Sequence, residues 1–313
     1  MLAVTMGDAN GVGPEILVRA AHAGLIPEPF RVYGDRSALT LAATRLKFDR
    51  SIVDRFDLDD LGALSIDDIA PGTVDGKVGA AAVDYVERAT RDALSGGVSA
   101  IVTLPINKEA SRATRPGFSG HTEFIAELCG NPPVTMMLAS DRLIVTHVST
   151  HVPLAEAIAR ARTPRILEVI RLTHDAVRRL RPRARIAVAG LNPHAGEHGA
   201  FGAEDDREIR PAIEAARADG IDVSGPEPGD TVFYNAVHRE RFDAVVCMYH
   251  DQGHIPMKTL DFDGGVNVTL GLPIVRTSVD HGTAYDIAYQ GIARTRSFEL
   301  ALSMARLLGG TAS

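Results

Sequence analysis

The 313-residue chain has only two cysteines, no tryptophan and 5% aromatic residues. Cys129 and Cys247, far apart in sequence, cannot form a disulfide framework or a cysteine-built metal site, and they point to a reducing compartment, the cytoplasm. Any metal site must then use nitrogen and oxygen ligands, and eleven histidines supply them. No Lys/Arg-rich block occurs and the net charge is −7, which argues against nucleic acid or an anionic membrane as partner. No apolar stretch approaches the roughly 20 residues of a membrane span, and the first residues already look like a strand, so neither a span nor a leader is expected. What is present, 45% hydrophobic and 23% charged residues, is the composition of a globular enzyme with one large domain or two smaller ones.

Strand-like and helix-like segments alternate throughout. Apolar runs at 2–6, 30–34, 100–104, 134–139, 142–148, 185–191, 243–249 and 266–270 predict strands, several of them buried on both faces. Amphipathic segments at 13–24, 36–46, 78–95, 120–129, 164–180, 204–218 and 295–308 predict helices. Pro14 and Glu15 suit the first turn of the first helix. The alternation predicts an α/β fold with a largely parallel sheet. Polar loops are expected after four of the strands: "GDANG", "PINKEA", "NPHAGE" and "HDQGH". Ligands bind outside the carboxyl ends of strands in such folds, so these stretches predict one convergent site.

The opening "MGDANGVGPEI" raises the question of a dinucleotide fingerprint. Gly11 and Gly13 fit the first part, and Asp35 sits at a tempting distance for a ribose-reading acid. Ile16 occupies the third small position, and Pro14 removes an N–H that a phosphate would use. A tight strand-to-helix turn is the better reading.

Histidines come in pairs after apolar strands: His147 and His151, His194 and His198, His250 and His254. One from each pair would make a three-nitrogen site for a divalent ion with positions open for substrate. His194 and His250 lie nearer the strand ends, and His151 is preferred because His147 falls inside an apolar run. Asp251 is a further ligand or a partner that orients a ring. "GHTEF" sets His121 and Thr122 at a helix N-terminus, an anion site. With Lys258, Asn267 and Arg276 they would hold a small doubly anionic substrate, such as one with a carboxylate and a phosphate. "SVDHGTAYDIAYQGIA" carries His281, Gly282, Thr283 and Asp286; a helix start capped by Asp280 or Thr283 is the bland reading, and it leaves the string of small and polar residues unexplained.

Taken together, "GDANGVGPE", "GHTEF", "GLNPHAGE", "MYHDQG" and "GVNVTLGLPIVRTSVDHGTA", spread over residues 7–284, resemble the 4-hydroxythreonine-4-phosphate dehydrogenase (PdxA) family. "HGTAYDIAYQGIA" also resembles the nicotinamide-cofactor loop of isopropylmalate and isocitrate dehydrogenases. The resemblance implies their fold, two α/β lobes with a cleft between them, here placed at 1–130 plus 280–313 and at 131–279. It implies His151, His194 and His250 as metal ligands shared between the subunits of a homodimer whose active sites lie at the interface. It implies His121, Thr122, Lys258, Asn267 and Arg276 as substrate contacts, and His281, Gly282, Thr283 and Asp286 as the nicotinamide site. The implied reaction is oxidation of a secondary alcohol β to a carboxylate, with hydride passing to NAD and carbon dioxide then leaving. A divalent cation on the hydroxyl suits both steps, and Lys258 beside that oxygen would shuttle a proton or stabilise charge. Zinc, manganese, cobalt and nickel suit three imidazoles, magnesium less well; NADP stands as the alternative cofactor.

One departure bears on substrate. The stretch "HDQGHIPMK" replaces the "HDQGLPVLK" typical of the vitamin B6 biosynthetic members. It resembles a catabolic branch acting on D-threonate or D-erythronate 4-phosphate and yielding dihydroxyacetone phosphate. The alternative is 4-hydroxythreonine 4-phosphate, which differs mainly in an amino group for a hydroxyl. A third branch, oxidising aromatic cis-dihydrodiol carboxylates, lacks the His121–Thr122 pair. A ligand-binding homologue without catalysis, and a metal-dependent lyase, are the other classes considered.

Overall fold

A computed structural model describes residues 1–26, 30–262 and 264–310. In chain order the first elements are β1 (Leu2–Thr5), α1 (Gly13–His22), β2 (Phe30–Gly34), α2 (Arg36–Arg45), β3 (Asp57–Asp60), α3 (Gly76–Leu94), β4 (Ala100–Thr103), α4 (Lys108–Thr114) and α5 (His121–Leu128). Then come β5 (Thr135–Ala139), β6 (Ile144–His147), α6 (Leu154–Arg160), α7 (Thr163–Leu180), β7 (Ile186–Ala189), α8 (Arg210–Ala218), β8 (Val223–Glu227), α9 (Val232–Val237), β9 (Ala244–Cys247), α10 (His250–Leu260) and β10 (Val266–Leu270). The chain ends with β11 (Arg276–Ser278) and α11 (Arg296–Gly309). It divides into two compact units, Met1–Pro132 with Leu272–Ser313, and Pro133–Gly271.

In the first unit the strand order is β3-β2-β1-β4-β11, with every pairing parallel. β1 and β4 are buried along their whole length, as the apolar runs require. Asp75 and Asn107 cap α3 and α4 through their side chains. In the second unit the order is β10-β5-β6-β9-β7-β8; β10–β5 and β5–β6 are antiparallel and the remaining pairs parallel. Its helices α7 and α8 bury Ile166, Ile170 and Ile213 against Val188 and Val246. The strand arrangement is thus α/β in type, all parallel in the first unit and mixed in the second.

Two sequence expectations are corrected. "HDQGH" is not a loop: it is the first turn and a half of α10, despite Gly253 and Pro256 within that helix. The segment after β11 is not a helix start, because only a single turn at Tyr285–Ile287 precedes α11. Asp35 also proves structural. It is 1% exposed, accepts from the Ala63 amide at 2.7 Å and from the Tyr85 hydroxyl, and so offers nothing to a ribose.

Candidate active site

In the first unit, Arg276 opens β11 and is buried. Its guanidinium donates to Thr103 Oγ1 at 2.7 and 3.2 Å from the end of β4, and to Thr122 Oγ1 at 3.4 Å. Burial lowers its pKa to about 10, with Glu123 acting in the opposite direction. The fold therefore carries this cation at a cost. Beside it, His121 is the first residue of α5, and its buried Nε2 has no hydrogen-bond partner among the described residues. Burial, then the charges of Arg276 and Lys108, hold His121 well below the usual imidazole range and keep it neutral. A buried guanidinium, a nearby lysine and an orphaned ring nitrogen at a helix start have the donor chemistry that suits an anion. Thr103 and Lys108 escape the sequence analysis, although "PINKEA" around Lys108 stands out as polar.

The same unit joins the opening loop to the segment after β11. The Val12 amide donates to Thr283 O at 3.0 Å, and the Ala293 amide to the buried carboxylate of Glu15 at 2.9 Å. The Tyr285 hydroxyl donates to Asp8 Oδ2 and the Tyr289 hydroxyl to Ala9 O, both at 2.7 Å. Asp8 is 1% exposed; burial raises its pKa while Tyr285 and the Asn10 amide oppose the rise. His281, Gly282 and Asp286 are exposed on this surface, and Thr283 is half-buried. His281 Nδ1 lies 3.0 Å from Gly282 O. A Cβ at Gly282 would meet nothing within 4 Å, so the space above it is open.

In the second unit, the end of β6, the segment after it and α10 gather four imidazoles. The rings of His151 and His250 are 5.4 Å apart, those of His250 and His254 are stacked at 3.7 Å, and those of His147 and His254 are 4.7 Å apart. Asp251 Oδ1 is 2.7 Å from His250 Nδ1. That contact places the proton on Nδ1 and leaves Nε2 of His250 as a bare donor atom, the arrangement common to metal-ligating histidines. Lys258 follows two turns later on α10, its ammonium 5.1 Å from the Phe262 ring centre. Asn267 is half-buried on β10, in register with Leu138 of β5. Burial, and then the neighbouring imidazoles, push His147 down to about 3 and His254 to about 4.

His194 stands apart. His151 and His250 line one pocket and His194 another, with Tyr249 and Asp251 bordering both. Among the described residues no group of three or more His, Cys, Asp or Glu side chains is arranged to hold a metal ion. His194–His198 is a run of five left-handed residues, φ between 41° and 78°. Each non-glycine residue in that conformation costs about 1 kcal/mol or more. Buried Asp205 holds the run in place by accepting from the amides of Leu191 at 2.8 Å and Asn192 at 3.1 Å, and from Asn192 Nδ2 at 2.9 Å. Strain kept up by so many contacts makes this loop a candidate part of the site.

With this geometry in view, comparison with known proteins is decisive. The family described as pyridoxal phosphate biosynthetic protein PdxA matches residues 26–305. The chain belongs to this family. It is 45% identical to a 4-hydroxythreonine-4-phosphate dehydrogenase from Desulforapulum autotrophicum, over 98% of this chain and 95% of that one. It is 44% identical to a D-threonate 4-phosphate dehydrogenase from Cupriavidus necator, over 96% and 95%. The crystal structure of a 4-hydroxythreonine-4-phosphate dehydrogenase from Klebsiella pneumoniae superposes with a TM-score of 0.87 at 41% identity, covering 98% of this chain and 99% of that one. These relatives are dehydrogenases, and the chain is an enzyme of that class. A β-decarboxylating dehydrogenase from Thermococcus kodakarensis shares the fold, with a TM-score of 0.51 at 16% identity over 97% of this chain and 81% of that one. The fold is accordingly that of the isocitrate and isopropylmalate dehydrogenases. Among the described residues, no helix is long and apolar enough to cross a membrane.

Proposed function

We propose that the chain oxidises and decarboxylates D-threonate or D-erythronate 4-phosphate, using NAD and a divalent metal ion. The observation that carries this reading is the anion receptor of Arg276, Thr122 and His121. It is a buried cation held at a cost, beside a ring nitrogen with nothing to bind. A phosphate would set an anion beside the guanidinium and give Nε2 an acceptor or a P–OH donor, according to tautomer.

The donor chemistry of the second unit fits a divalent ion. His250 offers a bare Nε2 and His151 lies next to it. In this reading His194 of a second copy of the chain provides the third imidazole, which makes the enzyme a homodimer with a shared site. His281, Gly282, Thr283 and Asp286 would hold the nicotinamide cofactor, on a surface that the Asp8–Tyr285 and Ala9–Tyr289 bonds keep in shape. When bound, these groups would respectively draw charge from the reacting hydroxyl and accept hydride. Lys258 would act as the neutral amine that takes up the hydroxyl proton as the alcohol is oxidised, and the ammonium so formed would return a proton to carbon after carbon dioxide leaves. Asn267 orients the carboxylate end of the acid.

The hydroxy acid is preferred over 4-hydroxythreonine 4-phosphate because of His254, a polar ring on the same helix as His250 and Lys258. The alternative draws support from relatives bearing that name at equal similarity. A spectrophotometric panel separates them: each four-carbon 4-phosphorylated acid with NAD or NADP, before and after chelation and with each metal restored. Reduced nicotinamide should form fastest with a hydroxy acid and vanish with chelator. Full activity in chelator would overturn the metal role. Binding of acid and metal with no reduction of either cofactor would make the chain a binding protein.

A further inference from the structure

The reaction scheme above leaves His147 and His254 without work, yet the two rings are linked with care. His147 closes β6 at 0% exposure, and its Nδ1 lies 3.3 Å from Met136 O. A carbonyl only accepts, so the proton of His147 sits on Nδ1 and its Nε2 is bare. Nδ1 of His254 lies 3.2 Å from that bare Nε2 and 3.1 Å from His250 O. Two acceptors around one nitrogen place the His254 proton on Nδ1 as well. The consequence is a bare Nε2 on His254, and among the described residues no hydrogen bond reaches it.

The backbone is built to allow this pairing. A Cβ at Gly253 would come within 2.5 Å of His147 Nε2 and 3.0 Å of Cys247 Sγ. Only glycine lets α10 lie this close to β6. On that helix His250, His254 and Lys258 stand at i, i+4 and i+8, which is one face. His254 therefore presents an uncharged acceptor one turn from the candidate metal ligand and one turn from the candidate proton carrier.

We propose that His254 Nε2 accepts a hydrogen bond from the C2 hydroxyl of a 2-hydroxy acid substrate, and that His147 is the positioning residue that holds the ring in this tautomer. The inference rests on the reading of the site given above. In it the C3 hydroxyl reacts between His250 and Lys258, so the neighbouring carbon's substituent falls to the residue between them in sequence. A neutral ring nitrogen with a free lone pair suits the hydroxyl as its donor.

The test compares D-threonate 4-phosphate with its 2-deoxy analogue, 3,4-dihydroxybutanoate 4-phosphate. The wild-type protein should favour the hydroxylated acid in kcat/KM by about tenfold, the worth of one hydrogen bond. In His254→Leu that ratio should fall to about twofold or less, and His254→Gln, whose Oε1 can occupy the place of Nε2, should recover part of it. Circular dichroism and melting of both variants report whether they fold. An undiminished ratio in His254→Leu would overturn the contact.

A second readout needs no turnover. In long-range ¹H–¹⁵N spectra of the ¹⁵N-histidine protein, His254 should show a protonated Nδ1 and a bare Nε2. The Nε2 signal should move on addition of D-threonate 4-phosphate and stay still with the deoxy analogue. His147→Leu should admit the second tautomer of His254, which loss of packing alone would not do. A proton on Nε2 in the free protein, or equal shifts with both acids, would refute the proposal. Failure of the wider reading looks different: neither acid would be oxidised, while the spectra would still decide the tautomer.

Discussion

Replacing Arg276 with methionine separates an anion receptor from a structural arginine. Burial takes the guanidinium from 12.5 to about 10, so at about 1.4 kcal/mol per decade the folded chain carries the cation at a cost of about 3 kcal/mol. Methionine has a similar stem and removes that cost. It also deprives the hydroxyls of Thr103 and Thr122 of their donor, at about 1 kcal/mol each. The balance predicts that Arg276→Met is at least as stable as the wild type in anion-free buffer, by up to about 1 kcal/mol. Removing one partner from a buried ion pair of purely structural purpose instead costs about 3–5 kcal/mol. Urea melts with and without inorganic phosphate read both halves of the argument. Phosphate at about a hundred times its Kd should add about 2.7 kcal/mol to the wild type and nothing to the variant. A variant more than about 2 kcal/mol less stable without phosphate, yet still stabilised by it, would refute the assignment of an anion receptor.

Three further outcomes follow from the same geometry. His121 is neutral in the fold far below the pH at which it protonates when unfolded, so stability is lost as pH falls below about 6.5, by up to about 1.4 kcal/mol per pH unit; His121→Gln should show a correspondingly flatter acid limb in melts between pH 6.5 and 4.5, and an unchanged limb would count against the buried, neutral ring. Asp8 has the opposite sign: its folded pKa is raised above 3.8, so the fold loses stability as pH rises through that window, and Asp8→Asn should be the more stable protein at pH 7, with the difference closing toward pH 3.8. Gly13→Ala would set a Cβ 2.0 Å from Met6 O, a backbone atom with no room to yield, and should cost about 3 kcal/mol or more in chemical denaturation; a loss under about 1 kcal/mol would show that the turn is not packed as described.

The legibility of the chain follows burial. All eight strands expected from apolar runs are present, because a strand covered on both faces, whether its neighbours run parallel or antiparallel, leaves a largely apolar record. The strands that escaped have no such record. β3, "DLDD", pairs only with β2, and β8, "VSGPE", pairs only with β7, so each lies at the outer end of its unit's strand order and needs no apolar pattern. β11 is three residues long and its first is a buried arginine, a residue that hydropathy assigns to the surface. α10 was hidden by its own composition: glycine and proline argue for a loop in isolation, and burial of Gly253 and Met257 overrides them.

The same distinction governs the site. Chemistry-bearing side chains declare themselves by type, which is why the histidine pairs, "GHTEF" and Arg276 stood out before any coordinates. What they do together depends on hydrogen bonds that no spacing records. Asp251 turns His250 into an Nε2 donor, and Met136 O, through two rings, turns His254 into an Nε2 acceptor. His147 illustrates the limit. Its place in an apolar run argued for a structural role, and it is indeed buried, yet burial is what lets it fix a tautomer one ring away. A residue can be structural in position and functional in effect, and only the direction of its hydrogen bonds separates the two.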